Sequence, residues 1–339
     1  MLNYFSLDTL TSIKSSISQR SFSPVYFLMG EEPFFVDELS VQLIHSVLPE
    51  EQRDFNQTIL YGKDTTVDEI VSCCKRFPMM AEYQLVVVRE AQELSRTLEQ
   101  LTAYIEQPQP TTVLVVCYKY KKLDKRKKIY KALQKHGTIF ESKKIYENKL
   151  PAWIEQRVQS LGRSINYKAS MLLADSVGAD LGTLNNQLTK LCLVVGSGQE
   201  IGVEHIELHV GISKEFNNFE LRKALGVGNT AQAYKIVHYF GMHPKQHPLL
   251  GTINSLYAFF IQLLTYHGLA SKNPDTVAKT LGIHPFFVRE IEQAANRYPL
   301  KTIVPILGII KQADLAAKGV EAVPVSEREA LQQLVSKIC

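Results

Sequence analysis

The sequence predicts an α/β domain followed by two all-helical domains. Five apolar segments rich in β-branched residues alternate with helical stretches at first, and the strand signal disappears after Pro151. Such alternation is typical of a parallel sheet covered by helices on both faces. We therefore expect an α/β domain at residues 1–149, a small helical lid at 150–212 and an all-helical domain at 213–339.

The predicted strands are apolar at consecutive positions, as parallel strands buried on both faces are. They are Val25–Met29, Gln57–Tyr61, Leu85–Arg89, Val113–Cys117 and Thr138–Phe140. One helix between them has a clear predicted start, because Thr66 and Glu69 have the spacing of a capping box. The apolar residues that follow Thr66 recur at the intervals of an amphipathic helix.

The sequence after Pro151 predicts helices separated by short breaks. Helical spacing covers Trp153–Leu161, Tyr167–Val177, Leu181–Val195 and Val203–Val210, and it resumes from Phe216 onward. The later breaks contain Gly or Pro and fall at residues 226–228, 241–248, 273–274 and 299.

Composition predicts a globular protein without a membrane span. The chain is 45% hydrophobic and 21% charged, and no apolar run approaches the ~20 residues of a transmembrane helix. Its first twenty residues lack the basic start and apolar core of a signal peptide. Because the five cysteines form no C-x-x-C pair, we expect neither a disulfide framework nor a metal site, and a reducing cytoplasm as the location.

The positive charge is concentrated in one segment. Residues 119–149 carry 12 Lys/Arg against 3 Asp/Glu, whereas residues 1–118 carry 8 against 16. We define the basic run as Lys119, Lys121, Lys122, Lys125, Arg126, Lys127 and Lys128. Asp124 is expected to cap a helix that reaches about Leu133 and turns its lysines outward. Three interpretations stay open: a solvated helix face, salt-sensitive contact with DNA phosphates, or contact with an acidic face of a neighbouring subunit.

The turn after the first strand has the shape of a nucleotide-binding loop without its chemistry. Residues 25–39 (VYFLMGEEPFFVDEL) predict a strand, a turn at Gly30 and a helix, but the second glycine, lysine and hydroxyl of a P-loop are missing. Glu31 and Glu32 would repel a polyphosphate, because like charges ~5 Å apart cost on the order of 1 kcal/mol or more. Three interpretations of this loop stay open. The domain is an ATPase scaffold that has lost its chemistry, or the loop is a simple turn whose carboxylates cap the next helix, or the protein is a nucleotidase with an unusual loop. We expect no bound cofactor and no catalytic residue.

A short apolar segment, Phe77-Pro78-Met79-Met80, follows the capped helix; we call it the apolar tip. Pro78 ends the helix. The segment either folds into the core of its own domain or stays exposed for another protein. Methionine is flexible and polarizable, which suits insertion into a partner's pocket.

Six segments in order along the chain resemble the delta subunits of bacterial DNA polymerase III, which belong to the AAA+ clamp loaders. They span residues 24–38, 77–91, 121–133, 178–191, 281–291 and 313–319. Met79 and Met80 stand where the family often has a Leu-Phe pair. The arginine-finger motif S-R-C of the ATPase and delta-prime paralogues is missing, since Ser95-Arg96-Thr97 lacks the cysteine.

The resemblance implies an AAA+-like α/β domain with a degenerate P-loop, a helical lid and a helical collar. It implies that Phe77, Met79 and Met80 contact the sliding clamp (beta) and that the subunit opens this ring for loading on primed DNA without hydrolysing ATP. The collar would assemble with the gamma/tau ATPase and delta-prime subunits, with no membrane involved. The alternative functions are an active P-loop-type nucleotidase or kinase, and a free-standing DNA-binding protein that uses the basic run.

Overall fold

The computed structural model describes residues 7–196, 198–320 and 326–339. These residues form two compact units, of which the first reaches to Ile145 and the second runs from Tyr146 to Cys339. The first unit has the strands and helices of the predicted α/β domain. The predicted lid and C-terminal domains both lie within the second unit, so the division at residue 212 stays a prediction.

The first unit is built on a five-stranded sheet in which every pair of neighbours is parallel, as the sequence predicts. The strands are β1 Val25–Gly30, β2 Gln57–Tyr61, β3 Gln84–Arg89, β4 Thr112–Lys119 and β5 Thr138–Ser142, in the order β2-β3-β4-β1-β5. The register places Gly30 opposite both Lys119 and Ser142. The ends of β1, β4 and β5 therefore meet at one edge of the sheet.

Helices cover the sheet because its central strands are apolar on both faces. The helices of this unit are α1 Leu7–Ser18, α2 Pro33–Val47, α3 Arg53–Asn56, α4 Val67–Cys74, α5 Thr102–Glu106 and α6 Lys128–His136. One core cluster joins alternate residues of β1, β3 and β4 to α4, α5 and α6. All six residues of β1 are buried, which explains why its sequence has no polar alternation.

The helix of the basic run begins later than the sequence predicts. Asp124 does not cap it, because α6 starts at Lys128. The Asp124 carboxylate instead accepts hydrogen bonds from the backbone N–H of Arg126 (2.9 Å) and from its guanidinium (2.7 Å). These bonds stabilise a local turn that competes with an earlier helix start. Three apolar side chains of this helix, Ile129, Tyr130 and Leu133, are buried.

The second unit is helical, and one apolar core cluster joins its helices from residue 221 onward. The helices of the unit are α7 Leu150–Ser160, α8 Tyr167–Val177, α9 Leu181–Val194, α10 Val203–Val210, α11 Asn218–Val227, α12 Thr230–Met242, α13 Leu249–Gly268, α14 Pro274–Leu281, α15 Val288–Arg297, α16 Leu300–Ala317 and α17 Glu327–Ile338. Among the described helices, α13 alone has the length and apolar composition of a membrane span. One side of this helix, including Leu256 and Phe260, lies in the apolar core of the unit.

Helices on the two sides of residue 212 contact each other within this unit. The ring of Tyr167 on α8 lies 4.4 Å from the ring of His284. The Asp175 carboxylate on α8 is 3.7 Å from the Arg222 guanidinium on α11. Burial raises the pKa of Asp175, and the Arg222 charge opposes that rise. These contacts link the predicted lid to the helices that follow it.

Candidate functional site

The apolar tip lies between the end of α4 and the start of β3. Thr66 caps α4 by accepting a hydrogen bond from the Glu69 N–H (3.2 Å), as predicted. The second half of the predicted capping box is not formed, because the Glu69 carboxylate accepts from the Thr65 hydroxyl at 2.8 Å. The helix thus has a fixed start, and the tip follows one turn after its last residue.

The apolar side chains of the tip are exposed. Phe77 is 76% exposed, Met79 61% and Met80 98%. Of the two arrangements that the sequence left open, the structure has the exposed one. Large apolar groups that a chain leaves together in water are typical of a contact surface for another protein.

The backbone of the tip is held by Asn56, the last residue of α3. The Asn56 side-chain oxygen accepts from the Met79 N–H at 2.6 Å, and its amide nitrogen donates to the Met79 carbonyl at 3.0 Å. The same nitrogen also donates to the Gln52 carbonyl at 3.0 Å. The preceding residue, Phe55, is 74% exposed. Sequence reasoning missed both residues, and a polar residue directly before a strand was the only signal.

Met80 has a backbone conformation that side chains disfavour. Its φ is +51°, in the left-handed region. For residues other than glycine this region costs about 1–2 kcal/mol, because Cβ crowds the following carbonyl oxygen. Met80 thus combines a costly backbone with an almost fully exposed apolar side chain. If the stability of the fold alone determined the residue at this position, glycine would be favoured over methionine.

The N–H groups that would hold a phosphate after β1 already have partners inside the protein. The Gly30 N–H donates to the Lys121 carbonyl (3.2 Å), and the Glu31 N–H donates to the Ser142 carbonyl (3.3 Å). The Glu32 N–H donates to the Ser142 hydroxyl (3.2 Å), which in turn donates to the Glu32 carbonyl (2.9 Å). Pro33, the first residue of α2, has no N–H to offer.

The two glutamates of this turn have different roles. Glu32 is buried, and its carboxylate accepts from the Phe34 N–H at 3.3 Å, so it caps α2 as one of the predicted alternatives requires. Glu31 lies 3.2 Å from the Lys122 ammonium, which also lies 3.0 Å from Glu141. Hydrogen bonding to Glu141 and then to Glu31 raises the pKa of Lys122. Occupied N–H groups, more than repulsion between carboxylates, therefore close this loop to phosphate.

Gly30 is required at this turn. Its φ is +137°, and a Cβ at this position would lie 2.2 Å from the Ser142 carbonyl oxygen. The glycine thus permits the close approach of β5 to the turn. As a result the Glu31 and Glu32 N–H groups donate their hydrogen bonds to Ser142. Gly30 stands where a phosphate-binding loop has its first glycine, but here it lets the turn pack closely against the end of β5.

The structure divides the basic run into paired and unpaired cations. Lys119 is mostly buried and lies 2.8 Å from Asp37 and 2.9 Å from Glu90, so it is occupied at the end of β4. Lys122 and Arg126 have the acidic partners described above, and Lys127 lies 3.6 Å from Glu99. Lys121, Lys125 and Lys128 are exposed, and the described residues include no acidic partner for them.

Two further lysines belong to the same edge of the sheet. Lys143 and Lys144 directly follow β5, are exposed and have no acidic partner within the described residues. Because β4 and β5 both pair in parallel with β1 and are in register at Gly30, the segments after β4 and β5 emerge at the same edge, one on each side of the segment after β1. Sequence analysis missed this pair, although two consecutive lysines shortly after the predicted strand Thr138–Phe140 were a usable signal. We call Lys121, Lys125, Lys128, Lys143 and Lys144 the unpaired lysines.

The searched part of the chain also lacks a metal-ligand cluster. Among the described residues, no group of three or more His, Cys, Asp or Glu side chains could hold a metal ion. The candidate surfaces are therefore the apolar tip and the unpaired lysines.

Comparison with known proteins identifies relatives of the whole chain. Residues 26–143 match the family described as DNA polymerase III, delta subunit. The curated DNA polymerase III subunit delta of Bacillus subtilis is 26% identical over 285 residues, which are 81% of this chain and 82% of that protein. The solved DNA clamp loader delta protein of Bacillus subtilis matches with a TM-score of 0.55 at 22% identity, over 97% of this chain and 99% of that one. This similarity supports the fold expected from the sequence, in which an α/β domain is followed by helices.

The occupied N–H groups predict that the chain does not bind Mg-ATP. A ligand present at 100 times its Kd would stabilise the fold by about 2.7 kcal/mol, a readily measured rise in melting temperature. We expect millimolar Mg-ATP to leave the melting temperature of the full chain unchanged, with MgCl₂ alone as the control. A saturable rise specific to the nucleotide would contradict this geometry.

The positive φ of Met80 predicts an unusual order of stability. We expect Met80→Gly to be more stable than Met80→Ala by about 0.5–1 kcal/mol, because glycine removes the clash of Cβ at positive φ. The measurement is urea-induced unfolding of both variants. Met79, which does not have a positive φ, is the matched control, and there the glycine variant should be the less stable. The same order at both positions would refute the assignment of strain to Met80.

Proposed function

Because the chain belongs to the family of DNA polymerase III delta subunits, we propose that it binds the sliding clamp through its apolar tip and opens the ring without hydrolysing ATP itself. The observation that carries this proposal is the exposure of Phe77, Met79 and Met80 on a segment whose backbone is fixed. A protein that kept these side chains for its own stability would bury them.

The proposed opening of the clamp requires only binding energy. A ligand shifts a conformational equilibrium by the difference between its affinities for the two states. A few central apolar side chains commonly supply most of the affinity of a protein interface. The tip has this composition, and an opened clamp that exposes a better pocket for it would be stabilised.

The proposed assembly uses the helical unit. By family, residues 213–339 form a collar with the gamma/tau ATPase subunits and delta-prime in the cytoplasm. Large apolar side chains on α13 and α16 support a contact role, since Tyr257 is 51% exposed and Val304 60%. Because the loop after β1 has no N–H group left for phosphate, ATP in such an assembly would be held by the neighbouring subunits.

The unpaired lysines are the proposed contact of this subunit with primed DNA. Five cations at one edge of the sheet, without acidic partners among the residues that the structure describes, suit a sequence-independent contact with phosphates. The acidic face of a neighbouring subunit is the competing partner. The basic run could also serve a free-standing DNA-binding protein, but family membership supports a role within the loader.

Shortening the tip should weaken clamp binding. We expect Met79→Ala/Met80→Ala to reduce affinity for the sliding clamp of the same organism by about 30-fold or more, since truncating a hot-spot residue costs ~2 kcal/mol. Surface plasmon resonance with the full chain measures this affinity. Leu208→Ala removes a side chain of similar size that is 76% exposed on α10 and should leave affinity unchanged. A folded double variant with normal affinity would disprove the proposal.

Neutralising the unpaired lysines should weaken DNA binding by the reconstituted loader. We expect Lys121→Gln/Lys125→Gln/Lys128→Gln to reduce affinity for primed DNA and to lower the slope of log affinity against log salt by about 0.9 for each lost phosphate contact. Lys245→Gln/Lys311→Gln, two exposed lysines of the second unit, is the control. An unchanged slope with weaker assembly of the loader would favour the acidic subunit face instead.

A further inference from the structure

The segments that lead into β2 and β3 are separate in the chain but close together in the fold. β2 and β3 are parallel neighbours, with Gln57 opposite Leu85. The residues that precede them must therefore approach each other at the opposite edge of the sheet from Gly30. Asn56 directly precedes β2, and the apolar tip lies a few residues before β3. This placement allows a side chain from one segment to bond to the backbone of the other.

Asn56 uses both its amide hydrogens and its oxygen in this arrangement. Its side chain is almost completely buried, and its oxygen and both amide hydrogens have the partners described above, two on Met79 and one on Gln52. A carboxamide that accepts from one N–H and donates to the carbonyl of the same residue replaces the bonds of a neighbouring strand. Aspartate lacks the two donors, and leucine, of similar size, lacks all three groups.

The tip depends on this side chain for its order. Residues 77–81 lie outside the helices and strands of the described chain, and the two bonds from Asn56 are the hydrogen bonds found for them there. Fixing the backbone of one residue costs roughly 1–2 kcal/mol of conformational entropy. When folding has already fixed a loop, binding does not have to order it. The loop's contacts with a partner are then not offset by this loss of entropy, and the affinity is higher.

We propose that Asn56 is a positioning residue for clamp binding, which holds Met79 and Met80 in the binding conformation before the clamp arrives. This inference rests on the clamp-binding role proposed above. Asn56 is almost completely buried and acts through the tip. Its loss should therefore change the order of the tip and the affinity together, while the core of the sheet stays intact.

The first test needs no variant. Amide hydrogen exchange, followed by NMR on the full chain, should show the Met79 N–H protected by at least about tenfold relative to an unstructured peptide, because it is bonded to a buried acceptor. An exchange rate equal to that of the unstructured peptide would overturn the inference. This outcome is independent of whether the clamp binds at the tip.

The second test measures clamp affinity in a double-mutant cycle. We expect Asn56→Ala to weaken clamp binding by about tenfold in the wild-type chain and by much less in the Met79→Ala background, because the two residues act as a unit. Asn217→Ala removes another buried asparagine, which caps α11 in the second unit, and controls for a general loss of stability.

The outcomes separate the two proposals. Normal affinity of Asn56→Ala, or an equal loss in both backgrounds, would overturn the positioning role while weak binding by the Met79→Ala/Met80→Ala variant still supported the tip. Normal binding by that double variant would instead remove the proposed function. If Asn56→Ala does not fold, hydrogen exchange at Met79 in the wild-type chain decides the question.

Discussion

The parallel direction of all five strands constrains where every surface of the first unit can lie. The segments that leave β1, β4 and β5 emerge at one edge, where the closed loop at Gly30 and the unpaired lysines are found. The segments that enter β2 and β3 begin at the other edge, where Asn56 meets the apolar tip. The buried sheet thus separates an apolar contact surface from a basic one, and each is available to a different partner.

The loop after β1 shows how a strand, a glycine turn and a helix can use their own polar groups to satisfy the backbone N–H groups of the turn. Ser142 at the end of β5 takes the Glu31 and Glu32 N–H groups, and Glu32 caps the helix that would otherwise point its N-terminus at phosphate. The result is a rigid start for α2 and a firm junction between β1 and β5. The turn is stabilised by hydrogen bonds from backbone N–H groups that a phosphate-binding loop would have to leave free for its ligand.

The sequence predicted the elements of the fold because the information needed was local. β-branched runs located all five strands, Thr66 marked a helix start, and Pro299 marked a break between helices that the structure also has. The prediction failed at Asp124, where two local patterns competed and the turn with Arg126 prevailed. Exposure of Met79 and Met80 was weighed correctly only with the help of the family resemblance, since a short apolar segment suits a core equally well.

The remaining features of the site depend on pairs of residues far apart in the chain. Asn56 and Met79 are brought together by strand order, and so are Glu31 and Lys122 or Ser142 and Glu32. A single sequence does not encode such pairs in any readable spacing. The same limit explains why Lys119 was grouped with the exposed lysines although the structure pairs it with Asp37 and Glu90.

Closure of the loop at Gly30 also limits what substitutions at this turn can achieve. Replacing Glu31 and Glu32 would not create an ATP site, because the carbonyl and hydroxyl of Ser142 would still occupy the N–H groups and Pro33 would still offer none. Withdrawal of β5, a new lysine and a new glycine would be needed together, and each change alone would weaken the junction. Single substitutions at this turn would therefore leave it closed to phosphate.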